Sequence, residues 1–277
     1  MMDNNEAKID SIQAKSERLE KIIKGYGKIA VAFSGGVDST FLLKTVNDLS
    51  NVNTVAFTFV SAVFPKQEID FTRTFCADEG IDHIIIEVPL LDNEDFIKNT
   101  ETRCYTCKKL LFEHAVELAG ELDITHICEG SNADDESDYR PGKKAIKEMG
   151  ILSPLKEAGL TKDEIRFLSR KMNLPTWEKP AMACLATRIP YGKSITKTQL
   201  SMIEKAESYL ADLGFSQVRV RIHDDVARLE IMPEDFEKMI SPLIREQVYS
   251  ELSDIGFSYV SLDLKGYRTG SMNESLK

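Results

Sequence analysis

The chain has 277 residues, 42% of them apolar and 29% charged, which is the composition of an ordinary folded protein with room for one large domain or two smaller ones. A net charge of −10 argues against a nucleic-acid partner, and no apolar run approaches the roughly 18 residues needed to span a bilayer. The start, Met-Met-Asp-Asn-Asn-Glu, has neither the basic region nor the apolar core of a secretion signal, which predicts a cytoplasmic protein with no membrane partner.

From Ala7 to Ile23, Ile9, Ile12, Leu19, Ile22 and Ile23 recur among charges and predict an amphipathic helix. The apolar run Ile29–Phe33 predicts a buried strand, and Thr40–Val46 continues with helical spacing. Between them stands Ser34-Gly35-Gly36-Val37-Asp38-Ser39, a loop placed between a strand end and a helix N-terminus. Gly35 and Gly36 let backbone N–H groups approach a ligand, Ser34 and Ser39 add hydroxyls, and the helix dipole favours an anion such as phosphate. Asp38 would repel that anion unless a cation intervened, which predicts Mg2+ between its carboxylate and phosphate oxygens. No G-x-x-x-x-G-K-[ST] occurs, and Gly25-Tyr-Gly27-Lys-Ile-Ala30 precedes the strand where a dinucleotide fingerprint would follow it.

Thr54–Val60, His83–Val88 and His126–Glu129 read as further strands, with helices at Gln67–Asp78, Lys108–Leu118 and Thr161–Met172. Thr161 and Glu164 make a capping box. The alternation predicts a doubly wound parallel sheet with ligands at the carboxyl ends of its strands, where the hexapeptide and Glu129-Gly-Ser-Asn-Ala-Asp-Asp135 both lie. Beyond Pro190 the pattern changes to a helix at Thr196–Leu213, strands at Gln217–His223 and Ala227–Met232, a helical stretch at Glu234–Ser253 broken by Pro242, and a strand at Ser258–Leu264. The expected division is therefore an α/β domain over 1–190 and a smaller C-terminal α+β domain over 191–277.

Cys76 and Cys128 lie in apolar contexts and read as core residues. Cys104 and Cys107 form a C-x-x-C expected just before a helix, and Cys184 sits between prolines in Pro180-Ala-Met-Ala-Cys184-Leu-Ala-Thr-Arg188-Ile-Pro190. Three thiolates could hold three irons of a [4Fe–4S] cluster and leave the fourth for another ligand. Arg103, Lys108 and Arg188 would then favour the thiolates. Zinc would want a fourth protein ligand, and none of the four histidines is paired in spacing with the cysteines. A C-x-x-C acting in redox chemistry, with Cys184 as a lone nucleophile, stays open.

The hexapeptide resembles the pyrophosphate loop of the N-type ATP pyrophosphatases, which cleave ATP to AMP and pyrophosphate. Arg103-Cys-Tyr-Thr-Cys-Lys108, the segment Glu129–Asp135, Asp138-Tyr-Arg-Pro-Gly142, the segment from Pro180 to Gly192 and Gly266-Tyr-Arg-Thr-Gly-Ser-Met-Asn273 extend the likeness over nearly the whole chain. Together they resemble the LarE-type ATP-dependent sulfur transferases of nickel-pincer nucleotide biosynthesis. The resemblance implies adenylation of a carboxylate of pyridinium-3,5-biscarboxylate mononucleotide and its conversion to a thiocarboxylate. Some LarE-type enzymes sacrifice the sulfur of one cysteine, at the position of Cys184, and others carry three cysteines for a cluster; this chain resembles the second kind. Asp38 and Cys184 become the catalytic candidates, with a sulfide donor and a homo-oligomer as expected partners. A substrate with one phosphate and two carboxylates calls for arginines. Arg219 and Arg221, on one face of a strand, are the first choice, with Arg188, Arg228 and Arg268 of the same kind and Glu207 and Glu230 to orient them or to bind metal. The alternatives are a solvated strand face for these arginines, and tRNA thiolation or amidation for the enzyme.

Overall fold

The structure, a computed structural model, describes residues 2–137, 142–180, 183–268 and 270–272, with the backbone alone for residues 2–8 and 136–137. Asp138–Pro141, Ala181, Met182, Thr269 and Asn273 of the motifs above lie outside the described residues. In chain order the elements are α1 (Met2–Lys24), β1 (Lys28–Ala32), α2 (Val37–Asn47), β2 (Asn53–Val60), α3 (Lys66–Asp78) and β3 (Asp82–Glu87). They continue with α4 (Glu94–Ile97), α5 (Arg103–Glu121), β4 (His126–Cys128), α6 (Gly142–Glu148), α7 (Pro154–Glu157) and α8 (Lys162–Lys171). The last are α9 (Lys197–Asp212), β5 (Val218–His223), β6 (Val226–Ile231), α10 (Phe236–Ile240), α11 (Pro242–Ile255) and β7 (Tyr259–Leu262).

Two compact units result. The first comprises residues 1–61, 66–88 and 104–182. Its four strands are parallel in the order β3-β2-β1-β4, so successive strands are added outward from β1 through β2 to β3 and then on the opposite side of β1 at β4. Strands of a doubly wound sheet are covered on both faces, and Ile29, Ala30 and Val31 of β1 are accordingly inaccessible to solvent. α2 packs its Val37, Phe41, Leu42, Leu43 and Val46 into the same core as Ile12, Leu19 and Ile23 of α1 and Ile165 and Leu168 of α8. The loop after β1 and the loop after β4 therefore flank the switch point, the place where such sheets bind ligands.

The second unit comprises residues 62–65, 89–103 and 183–277. β5 and β6 are antiparallel, and β7 joins β6 in parallel, giving the order β5-β6-β7. α9 starts on a capping box in which Thr196 and Gln199 exchange hydrogen bonds. Proline opens α11 after the break at Ser241. The division thus falls at 182/183, and two segments from earlier in the chain complete the C-terminal unit. α5 also begins earlier than the periodicity indicates, so the C-x-x-C is the first turn of a helix and not a segment preceding it. Residues 103–107 carry no apolar stripe. Their helix is anchored by the buried guanidinium of Arg103, which donates to Asn99 Oδ1 at 2.5 Å.

Candidate functional site: a phosphate loop and a cysteine turn

At the end of β1 the chain turns through Gly35 at φ +74°, and Gly36 caps α2 in extended conformation. A side chain at position 35 would be strained, and its Cβ would stand 2.9 Å from the Phe71 ring. Gly130, after β4, is also closely approached, since a Cβ there would lie 3.0 Å from the backbone nitrogen of Ser39. Inside the loop Ser39 Oγ accepts from Ser34 N at 3.3 Å and donates to Gly36 O at 3.2 Å. Thr40 closes the turn with both its N–H and its hydroxyl on Gly36 O. The first N–H groups of α2 have no intrahelical acceptor, which is what a helix N-terminus offers to an anion.

Three side chains set the charge there. Asp38, 21% exposed, accepts from Lys162 Nζ at 2.5 Å and from Asn132 Nδ2 at 3.3 Å. Burial pushes its carboxyl above the ordinary value; Lys162 and then Asn132 oppose that shift, and Asp135 adds to it. Lys162 is the first residue of α8, placed by the Thr161–Glu164 capping box, and its backbone N–H binds Asp134. Lys179 Nζ donates to Gly35 O at 3.0 Å and to Glu68 Oε2 at 2.7 Å. The loop after β4 is fixed by Glu129, which accepts from Ser131 N, Ser131 Oγ and Ser153 Oγ.

In the second unit Cys184 precedes a short 3-10 helix, Leu185–Arg188, whose carbonyls are taken up by buried side chains. Arg188, fully buried, donates from Nη1 to Ala183 O at 2.7 Å and Cys184 O at 2.9 Å, and grips both oxygens of Glu207. Arg103 reaches Ala186 O, Arg221 reaches Thr187 O, and Asn99, at φ +52°, reaches Ile189 O and Pro190 O. Arg221 also holds Glu230 with two hydrogen bonds and Ser271 with a third. Arg219 lies 5.3 Å from the Tyr267 ring centroid, and burial together with neighbouring Arg188 pushes its guanidinium below the ordinary value. Arg228 bridges Glu230 and Asp263, and Arg268 also binds Asp263.

Arg219 and Arg221 are 5% and 8% exposed, so a solvated strand face is not their role. Arg188, named with them, spends its guanidinium on Glu207 and the cysteine turn. Removing it would leave Glu207 with the Val220 N–H but without its counter-charge, in a largely dry site. Arg188→Met should therefore cost about 3–5 kcal/mol in a denaturant titration, well beyond a surface substitution.

Cys104 and Cys107 lie three residues apart in the first turn of α5, in the first unit, and Cys184 lies in the second. All three are partly exposed, whereas Cys76 and Cys128 are buried and their thiols are pushed up to about 12 by burial, as core thiols are. Among the described residues no group of three or more His, Cys, Asp and Glu stands together as a metal site. Glu129 and Gly130 belong to the loop that the sequence places at the end of β4, whereas Lys162 and Lys179 are residues at the loop that motif reading passed over. Lys162 was signalled by its place directly after the helix cap, and Lys179 only by its place before Pro180.

A parallel sheet with Ser-Gly-Gly-x-Asp-Ser at the end of its central strand, facing a second glycine loop across the switch point, defines the PP-loop class of α/β proteins. No family model matches the chain. It is 37% identical over 265 residues to an uncharacterized protein of Synechocystis, covering 96% of this chain and 99% of that one. It is 33% identical over 267 residues to the pyridinium-3,5-bisthiocarboxylic acid mononucleotide synthase of Lactiplantibacillus plantarum, covering 96% of each. A tRNA-specific 2-thiouridylase of Syntrophus aciditrophicus is more distant, 25% identical over 64% of this chain and 57% of its own length. The chain belongs to the LarE family of sulfur transferases. No helix among the described residues is long and apolar enough to cross a membrane.

Proposed function

We propose that this chain adenylates a carboxylate of pyridinium-3,5-biscarboxylate mononucleotide with ATP and replaces the AMP by sulfur, leaving a thiocarboxylate, AMP and pyrophosphate. The observation that carries this reading is the loop of Ser34–Ser39 with Lys162 and Lys179 on it. A carboxylate oxygen leaves poorly. Its attack on the α-phosphorus, with pyrophosphate departing, turns it into part of AMP, a good leaving group. The loop N–H groups and Lys162 stabilise the charge that gathers on the departing pyrophosphate. A sulfur nucleophile then adds to the acyl carbon and expels AMP.

Asp38 would hold Mg2+, which supplies positive charge to the phosphate oxygens; its carboxylate already sits beside a cation, Lys162, and fits that use. Cys104, Cys107 and Cys184 would hold a [4Fe–4S] cluster, which supplies sulfide when bound; the donor type fits, since all three thiols are partly exposed. The buried guanidiniums fix the backbone around Cys184, and the cluster of Arg219, Arg221 and Arg228 favours an anionic substrate in that unit. A sulfide donor would reload the enzyme.

Incubation with ATP and the candidate mononucleotide should give AMP and pyrophosphate in step with thiocarboxylate. ADP and phosphate would overturn the adenylation. Activation by tRNA in place of the mononucleotide would move the chain to tRNA thiolation.

A further inference from the structure

A peptide unit is planar and trans, so its carbonyl and its N–H point in opposite directions. The peptide joining Gly35 to Gly36 carries the Gly35 carbonyl at one end and, at the other, the N–H of the residue that caps α2. Glycine meets little steric resistance to rotating such a unit. A rotated unit would present a carbonyl oxygen to an incoming phosphate and repel it.

Lys179 holds that carbonyl. Its Nζ, 3.0 Å from Gly35 O, is shared with Glu68 Oε2 at 2.7 Å and lies 4.4 Å from the centroid of the Phe71 ring. Phe71 is also the side chain packed closest to Gly35. The backbone of Lys179 is fixed in turn from α8. Arg166 Nη1 donates to Trp177 O at 2.6 Å and Nη2 to Lys179 O at 2.8 Å, and Arg170 stacks over the Trp177 ring at 4.8 Å. The helix that places Lys162 on Asp38 thus also places Lys179 on Gly35.

We infer that Lys179, oriented by Glu68 and Arg166, is a positioning residue that keeps the Gly35–Gly36 peptide turned with its N–H toward the nucleotide phosphates. This rests on the ATP reading proposed above. A preorganised donor needs no rearrangement when the anion arrives, so the gain appears as affinity for the polyphosphate. The rival role is that of a direct ligand, with Lys179 leaving Glu68 to bind phosphate itself.

Calorimetric titration of the full chain with ATP and with inorganic pyrophosphate separates these. Lys179→Met keeps the stem against Phe71 and removes the donor; it should weaken pyrophosphate by about tenfold or more, with Lys179→Arg recovering most of the loss. Glu68→Gln decides between the roles. A positioning lysine that loses its anchor binds pyrophosphate more weakly, whereas a direct ligand released from a competing carboxylate binds it more tightly, and tightening would overturn the inference. Unchanged affinity in Lys179→Met would overturn it too. Trp177, the single tryptophan, reports the turn by its emission, which should stay as in the parent chain. A parent chain that binds neither probe removes the ATP reading, and this inference with it.

Discussion

Cys184→Ala should abolish sulfur transfer while shifting unfolding by no more than about 0.5 kcal/mol, the range of a change that disturbs no buried contact. The turn is held through carbonyls, by Arg188, Arg103, Arg221 and Asn99, so losing the thiol leaves its geometry in place. The C-x-x-C then separates two chemistries. If a cluster carries the sulfur, protein prepared without oxygen is brown with about four irons per chain, and Cys104→Ala or Cys107→Ala loses iron and transfer together. If Cys184 gives up its own sulfur, those two changes do little, and the spent chain is lighter by one hydrogen sulfide molecule after a single turnover. A colourless chain with that mass loss, even when iron and sulfide are supplied, would sink the cluster.

The second large effect is expected at Lys162. Lys162→Met should slow AMP and pyrophosphate formation by about 10²–10³-fold, as loss of one preorganised donor to a developing anion does elsewhere. It also strips Asp38 of the partner that opposes the upward push of burial on its carboxyl. Asp38 would then hold its proton to higher pH, which weakens it as a magnesium ligand. Adding Asp38→Asn to Lys162→Met should relieve the unpaired carboxylate and recover stability without recovering turnover. Full turnover in Lys162→Met, measured as pyrophosphate release, would exclude Lys162 from the leaving-group site.

Much of this architecture is legible in the sequence where the signal is local. The strand, loop and helix around Gly35, the capping box at Thr161 and the break at Pro242 each depend on neighbours within a few residues. What escaped depends on distant partners. The first turn of α5 is helical because Arg103 finds Asn99 and Ala186, not because of periodicity. α4 and α7, at four residues each, are too short to show a 3.6-residue repeat, and α6 at seven is barely longer. Residues 62–65 and 89–103 join the C-terminal unit through bonds such as Leu185 N to Val63 O and Gly192 N to Asn99 O, invisible to a linear boundary. Lys162 and Lys179 reach the loop from more than a hundred residues away, |i−j| = 124 and 144.

The turn carrying Cys184 has a consequence for motion on the slow timescale. Connecting segments ordinarily open first and exchange their amide hydrogens quickly. Here the amides of Leu185, Thr187, Ile189, Gly192 and Ile195 are bonded, three of them to Val63, Asn99 and Ile97, and the carbonyls around them are tied to buried arginines. Exposing this backbone to deuterium requires breaking the second unit's polar core. The segment should therefore exchange with the protected β5–β6 pair and not with the surface loops, so that the Cys184 thiol stands at the edge of one of the slowest-opening parts of its unit.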